Sequence, residues 1–148
     1  MKLGDLLNAK DSEYRVAVTV LPEETVLAAI HKLAEHDKGS LLVCDHRGKL
    51  MGIVSERDIV RKCFISVQDL DKIKIQDVMT KKVIVGNPED DLCYAISVMK
   101  EKRIRHIPIV DEEANVIGMI SMRDLLGVQL EQCNIELKFL NDYIYSGR

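Results

Sequence analysis

The sequence predicts a mixed α+β (α/β) fold of two tandem β-α-β-β-α repeats, packed as a pseudo-twofold pair and followed by an amphipathic C-terminal helix. Three observations predict it. Residues 18–60 recur without a gap at one offset, so that 52–58 (GIVSERD) match 118–124 (GMISMRD), with 124 − 58 = 66. Within each repeat, short β-branched runs alternate with apolar residues at i, i+3, i+4 and i+7, the spacing of a one-sided helix. Apolar residues near the end of the chain are spaced by 4, 3, 4, 3 and 4.

The first repeat predicts strand, helix, strand, strand, helix in that order. A β-branched run at 17–20 forms the first strand, and Pro22 closes it. Residues 25–36 carry the helical stripe, 41–44 and 50–54 are short apolar strands, and 56–64 form the second helix. The intervening turn contains Gly48, which can adopt positive φ.

The second repeat follows the same plan. It predicts a strand at 83–85, capping residues at 87–91, and a helix whose apolar stripe begins at Leu92. A hairpin of strands 106–110 and 116–120 follows, and a helix begins near Met122.

The segments outside the repeats complete the domain organisation. The first repeat with its lead-in occupies 1–64, a connector 65–74, the second repeat 75–128 and the C-terminal helix 129–148. Short lead-in helices are predicted at 3–7 and 74–79. The terminal apolar seam has the spacing of a coiled coil and consists of Leu126, Leu130, Cys133, Leu137, Leu140 and Ile144. It can pack back on its own domain or dock against a partner subunit.

Composition excludes several classes of function. The net charge of −3 and the lack of Trp disfavour a nucleic-acid binder, which needs basic charge and stacking platforms. No apolar run approaches the roughly 18 residues that a membrane span requires, and the N-terminus lacks a signal-peptide core, so a cytoplasmic location is expected. The four cysteines lack zinc-ligand spacing, which predicts buried, reduced thiols and no metal site.

The repeated heptapeptide has a structural interpretation. It lies where a strand turns into a helix. Ser55 suits a helix N-cap with Asp58 as its capping-box partner, and Ser121 with Asp124 repeats the arrangement. An N-cap contributes about 1 kcal/mol, which alone can account for these residues.

The same residues also suit a nucleotide site. A helix N-terminus attracts phosphate, and the side chains of Arg57 and Arg123 can bind phosphate oxygens. The carboxylates of Asp58 and Asp124 can accept hydrogen bonds from a ribose diol. The residues alone leave both interpretations open.

Further motifs resemble those of a known family. They are 78–80 (VMT) before the second repeat, 104–111 (IRHIPIVD), and the two G-x-x-S-x-R-D segments within the β-α-β-β-α repeats. Over residues 2 to 128 the chain resembles a pair of CBS domains, named after cystathionine β-synthase, which together form a Bateman module. The tail also looks like that of small stand-alone CBS proteins.

The resemblance implies a set of ligand-binding residues. Asp58 and Asp124 would each hold the ribose of one adenosine ligand, with Ser55 and Ser121 at ribose or phosphate. Arg57 and Arg123 would lie at the phosphate. Thr80 would border the nucleotide, and Arg105 and His106 would enter the cleft between the repeats. The alternative for His106 is a neutral structural histidine.

One departure from the pattern distinguishes the two repeats. The first-repeat equivalents of Arg105 and His106 are Gly39 and Ser40, since 105 − 66 = 39. The two clefts therefore cannot be equally basic. The sequence does not indicate which aspartate shares its cleft with Arg105.

The resemblance implies a regulatory module without catalytic groups. It would bind AMP, ADP, ATP or NAD, with S-adenosylmethionine as a further candidate, and act as a homodimer that senses energy or redox state for a partner protein. No metal or catalytic cofactor is expected, and no nucleophile–base pair is recognisable. The alternative is a dimerisation scaffold that binds no ligand, in which S-x-R-D only caps helices.

Overall fold

The computed structural model describes residues 1–9, 17–63 and 69–145. The first repeat contains β1 (Thr19–Val20), α2 (Val26–His36), β2 (Ser40–Cys44), β3 (Leu50–Ser55) and α3 (Glu56–Cys63), and α1 (Leu3–Asn8) precedes it. The second contains α4 (Ile75–Val78), α5 (Leu92–Lys102), β4 (His106–Val110), β5 (Val116–Ser121) and α6 (Met122–Tyr145). The predicted α+β fold with two tandem repeats and a C-terminal helix is confirmed. The predicted end of α3 at residue 64 and the start of the connector lie outside the described residues.

The two hairpins share one register. In the first, β2 runs antiparallel to β3 from Ser40 opposite Ser55, and β1 adds a parallel strand beside β2. In the second, β4 pairs antiparallel with β5 from His106 opposite Ser121. Both hairpins carry a register shift at the same place, after Val43 and after Ile109. This agreement extends the sequence repeat to the level of backbone pairing.

The strand predicted at 83–85 is wrong. Only Gly86 forms an isolated parallel bridge with Ile109, at the position equivalent to the pairing of Val20 with Val43. In the first sheet the N–H of Leu42 donates to the carbonyl oxygen of Val18 at 3.2 Å. The equivalent of Leu42 is Pro108, which has no N–H, so this ladder bond cannot form in the second repeat.

The hydrophobic cores exchange their lead-in segments. Leu3, Leu6 and Leu7 of α1 are buried with side chains of the second repeat, such as Met99. Ile75 of α4 is buried in the core of the first repeat. Backbone bonds match this exchange, since the N–H of Leu3 donates to the carbonyl of Asp90 and the N–H of Ile75 to that of Glu24. The division into 1–64 and 75–128 thus describes chain order, whereas packing ties each lead-in to the other repeat.

An antiparallel bridge joins Lys49 to Asn115. These residues are equivalent positions, because 115 − 49 = 66. When two equivalent residues pair with each other in an antiparallel bridge, the twofold axis that relates the repeats passes between them. The two hairpin turns therefore meet at the local axis of a pseudo-twofold pair.

The last helix is much longer than the repeats require. α6 has 24 residues, about 36 Å, and runs unbroken through position 129. Leu125 is its buried residue, whereas every described residue from Cys133 onward is exposed. Among the described residues, no helix is long and apolar enough to cross a membrane.

The prediction of buried cysteines is half wrong. Cys44 and Cys63 are buried, and burial raises the pKa of both thiols. Cys93 and Cys133 are exposed because each lies on a helix face that the core does not cover.

Candidate functional site: two clefts between the repeats

The heptapeptide of the first repeat forms one wall of a cleft of about 540 Å³, here called the first cleft. The opposite wall belongs to the second repeat. The first wall includes Ser55, Glu56, Arg57, Asp58 and Thr80, and the second includes Lys82, Val83, Ile84, Arg103, Ile104, Arg105 and His106. The cleft therefore contains side chains from both halves of the molecule.

The Ser55 capping box is formed as the sequence predicts. The backbone N–H of Ser55 donates to Oδ2 of Asp58 at 3.0 Å, and the N–H of Asp58 donates to Oγ of Ser55 at 3.1 Å. The Thr80 hydroxyl donates to Oδ1 of Asp58 at 3.2 Å, and the Lys62 ammonium lies 3.3 Å from that oxygen. These contacts fix the carboxylate at the cleft wall, where its side chain is 16% exposed. Asp58 can therefore cap the helix and still present its carboxylate to the cleft.

Thr80 reaches this position through backbone pairing with β3. The N–H of Thr80 donates to the carbonyl of Ile53 at 2.8 Å, and the N–H of Ile53 returns a bond of 3.0 Å. Gly52 makes this approach possible, because a Cβ on Gly52 would lie 2.8 Å from the carbonyl oxygen of Thr80. The glycine of the heptapeptide therefore serves close backbone packing.

The heptapeptide of the second repeat forms a wall of a second cleft of about 310 Å³. Its capping box repeats the first, with bonds of 3.0 Å and 3.1 Å between Ser121 and Asp124. The lining residues of this second cleft are Ala17, Val18, Asp37, Lys38, Gly39, Ser40, His106, Met119, Ser121, Arg123 and Asp124. Each of them is the 66-residue equivalent of a residue that lines the first cleft. The two clefts are therefore the two copies of one site.

The structure decides which aspartate lies with Arg105. Arg105 and Arg103 line the first cleft with Asp58, whereas the second cleft has their equivalents Gly39 and Asp37 with Asp124. The formal charge of the residues that line the first cleft is 4 − 2 = +2, and in the second cleft it is 2 − 2 = 0. The expectation that the clefts differ in basic character is met, and the first cleft is the basic one.

His106 and its equivalent Ser40 each line both clefts. Burial is the main cause that lowers the pKa of His106, although the charge of Asp124 opposes the shift. The imidazole is therefore neutral at pH 7, and its tautomer leaves one ring nitrogen as donor and one as acceptor. Among the described residues, the Ser40 hydroxyl is buried without a hydrogen-bond partner, which typically costs about 1–3 kcal/mol.

Sequence reasoning missed several residues of the clefts. Lys82 and Arg103 line the first cleft, and Asp37 and Lys38 line the second. Asp37 and Arg103 both end a helix in the left-handed conformation, with φ of 51° and 55°. They are equivalent positions at the 66-residue offset, so a comparison of charge between the repeats could have found them.

A family model described as the CBS domain matches residues 13–64 and 75–131, one match for each repeat. The chain belongs to the CBS-domain family. Paired CBS domains are regulatory modules. The lining residues of both clefts all fall within the two matches.

Relatives among known proteins agree with this assignment. The CBS domain-containing protein CBSX3 of Arabidopsis thaliana, a mitochondrial protein, is 33% identical over 129 residues, which is 84% of this chain and 62% of the relative. An uncharacterised protein of Methanopyrus kandleri is 32% identical over 115 residues, covering 78% of this chain and 59% of the relative. The chain thus spans about 60% of the length of these relatives.

Solved structures share the fold. The CBS-domain protein ATU1752 from Agrobacterium tumefaciens is 28% identical with a TM-score of 0.75, and the match covers 86% of this chain and 92% of that one. The CBS domain pair of protein MJ0100, solved with 5′-methylthioadenosine and S-adenosylmethionine, is 22% identical with a TM-score of 0.74 over 89% of this chain and 98% of that one. A hexameric CBS-CP12 protein from bloom-forming cyanobacteria is 26% identical with a TM-score of 0.70, covering 85% of this chain and 69% of that one.

Proposed function

We propose that this CBS pair is a regulatory module that binds an adenosine ligand and reports its concentration to a partner protein. The ligands we propose are AMP, ADP, ATP or NAD, with S-adenosylmethionine as a further candidate, so that the signal is energy or redox state. One observation carries the proposal. The first cleft gathers the fixed carboxylate of Asp58 and the basic side chains of both repeats around a volume of about 540 Å³.

The chemistry of the cleft suits each part of a nucleotide. The Asp58 carboxylate is an acceptor for ribose hydroxyls, and the guanidinium groups of Arg57 and Arg105 are donors for phosphate oxygens. Apolar residues such as Val83 and Ile84 provide a surface for the adenine ring. The volume lies within the range of about 300–1,000 Å³ that small-molecule sites occupy. The neighbour solved with two adenosine compounds supports this ligand class.

The mechanism we propose is a population shift between arrangements of the repeats. A ligand that contacts Asp58 of one repeat and Arg105 of the other favours the arrangement in which both contacts form. Such coupling typically amounts to about 1–3 kcal/mol. The proposed role involves binding only, with no chemical step on the ligand.

We also propose that two copies associate through α6. The exposed seam consists of Leu126, Leu130, Cys133, Leu137, Leu140 and Ile144, and it carries no charged side chain. It lies on a different face of the helix from Leu125, which packs on the chain's own core. The fully exposed end of α6, residues 133–145, has a length at which an isolated helix is marginal in water, so a partner helix that buries the seam stabilises it. A second copy supplies an identical a/d seam, which fits coiled-coil pairing, and the hexameric neighbour supports self-association.

The cytoplasm remains the location we predict.

The ligand proposal is tested by thermal unfolding of nucleotide-free protein with AMP, ADP, ATP, NAD and S-adenosylmethionine. A ligand at about 100 times its Kd adds about 2.7 kcal/mol, a shift of several degrees for a chain of this size. We expect a shift with at least one ligand that is lost in the double variant Asp58→Ala, Asp124→Ala.

A matched control separates binding from helix capping. Thr25 and Asp91 are equivalent N-cap residues of α2 and α5, and neither lines a cleft described above. The double variant Thr25→Ala, Asp91→Ala loses two helix caps and should keep the ligand-induced shift. A flat panel on the wild-type protein would favour the alternative, a scaffold that binds no ligand.

A further inference from the structure

We propose that the two clefts are specialised by charge, so that the first binds a phosphorylated adenosine ligand and the second binds an adenosine ligand without phosphate. This inference rests on the proposed function, because it assigns a ligand class to each of the two sites.

The difference arises at two pairs of equivalent residues. Arg103 in the first cleft corresponds to Asp37 in the second, and Arg105 corresponds to Gly39. Lys82 adds a further cation to the first cleft. The full sets of charged lining residues give the charges of +2 and 0: Arg57, Lys82, Arg103 and Arg105 against Glu56 and Asp58 in the first cleft, and Lys38 and Arg123 against Asp37 and Asp124 in the second.

The backbone conformation is the same at Asp37 and Arg103, the equivalent pair whose charges are opposite. Asp37 and Arg103 follow α2 and α5 with φ of 51° and 55°, and each N–H bonds back to carbonyls of its helix. Aspartate and arginine therefore occupy one conformation in the two repeats. Only the side chain at the cleft mouth changes, from a cation that attracts phosphate to an anion that repels it.

The second cleft favours a ligand that carries no negative charge. Its carboxylates, Asp37 and Asp124, are only balanced by Lys38 and Arg123, so it lacks the excess of cations in the first cleft, and its volume of about 310 Å³ is smaller. The buried Ser40 hydroxyl, which lines both clefts, has no partner among the described residues. A neutral nucleoside offers hydroxyl and ring-nitrogen groups that can satisfy such a donor, and it does not need the excess of positive charge that favours a phosphate in the first cleft.

The test is isothermal titration calorimetry with AMP and adenosine, which differ only in the phosphate. Three proteins are compared: wild type, Arg103→Asp and Asp37→Arg. Each variant places in one repeat the residue that the other repeat already holds in the same conformation, so the fold should tolerate both. Titrations at two salt concentrations measure the electrostatic share of the AMP affinity.

We expect Arg103→Asp to weaken AMP binding by about tenfold or more, since it exchanges a charge-assisted donor for a repelling group, and to leave adenosine binding within about twofold. Asp37→Arg should add a second AMP site. An AMP affinity that Arg103→Asp leaves unchanged would overturn the specialisation while the proposed function stands. Absence of binding by both ligands would overturn the proposed function as well.

Discussion

Asp58 and Arg105 belong to different repeats and line the same cleft. The Asp58 carboxylate is held on one wall by the N–H of Ser55 and the hydroxyl of Thr80, and Arg105 is exposed on the other wall. The carbonyl of Arg105 also accepts a bond of 2.8 Å from the N–H of Met122, the first residue of α6. A ligand that contacts both Asp58 and Arg105 would therefore contact a residue that is hydrogen-bonded to the start of α6, the helix that carries the exposed seam.

The two aspartates of the capping boxes should differ in their effect on stability. Asp124→Ala removes a capping-box contact and should lower the free energy of unfolding by about 1 kcal/mol. Asp58→Ala also removes the bond from Thr80 and the ion pair with Lys62, so we expect about 2 kcal/mol. Urea unfolding of both variants measures the difference. Equal losses would show that the contacts of Thr80 and Lys62 do not stabilise the fold.

Gly52 should tolerate no side chain. In Gly52→Ala the new Cβ would lie 2.8 Å from both the carbonyl oxygen of Thr80 and the sulfur of Met79, so the segment at Thr80 must move. Overpacking of this kind costs about 1–3 kcal/mol. The control is Gly39→Ala, whose Cβ would meet only the Glu56 side chain at 4.0 Å. In thermal unfolding, Gly52→Ala should be less stable than Gly39→Ala. Similar stabilities of the two variants would contradict the close approach of Gly52 to Thr80.

Acid should destabilise both hairpin turns through equivalent aspartates. Backbone N–H groups of the turns, chiefly those of Lys49 and Asn115, hold the pKa of Asp45 and of Asp111 below the ordinary value of 3.8. Because the folded pKa is lowered, the stabilisation is complete above about pH 5 and is lost as the pH falls through 3.8 towards the folded pKa. The variant Asp45→Asn, Asp111→Asn should show a flatter decline of stability below pH 5. Parallel pH profiles for the two proteins would refute this cause.

The seam of α6 should control association. Leu137→Glu places a charge on the seam and should convert a dimer to monomers in sedimentation velocity. The control is Ile135→Glu, since Ile135 is similarly exposed (62% against 53%) and lies on another face of the helix. A wild-type monomer would rule out a second copy as the occupant. A dimer that survives Leu137→Glu would place the interface elsewhere.

Much of the fold could be predicted from the sequence because the repeat supplies each pattern twice. The capping boxes at Ser55 and Ser121 depend on residues three positions apart, so local chemistry determines them. The prediction of a strand at 83–85 was wrong because strand formation depends on residues far away in the chain. Its apolar run is local, whereas the missing ladder bond depends on Pro108 in another strand.

The exchange of lead-in segments could not be predicted, since the apolar residues of α1 do not specify which core receives them. Leu3 is buried in the second core and Ile75 in the first, and backbone bonds to distant carbonyls decide this. The pairing of Arg105 with Asp58 depends on how the two repeats face each other. The equivalence of Gly39 and Arg105 predicted that the two clefts differ in basic character. Which cleft is the basic one could be assigned only from how the two repeats pack against each other.

The central claim is that an adenosine ligand bridges the repeats in the first cleft, and the structure of the protein crystallised with AMP tests it most directly. We expect the ribose hydroxyls within hydrogen-bond distance of the Asp58 carboxylate and the phosphate beside Arg105. AMP bound outside both clefts, or a first cleft that stays empty at an AMP concentration that saturates the protein in solution, would contradict the claim.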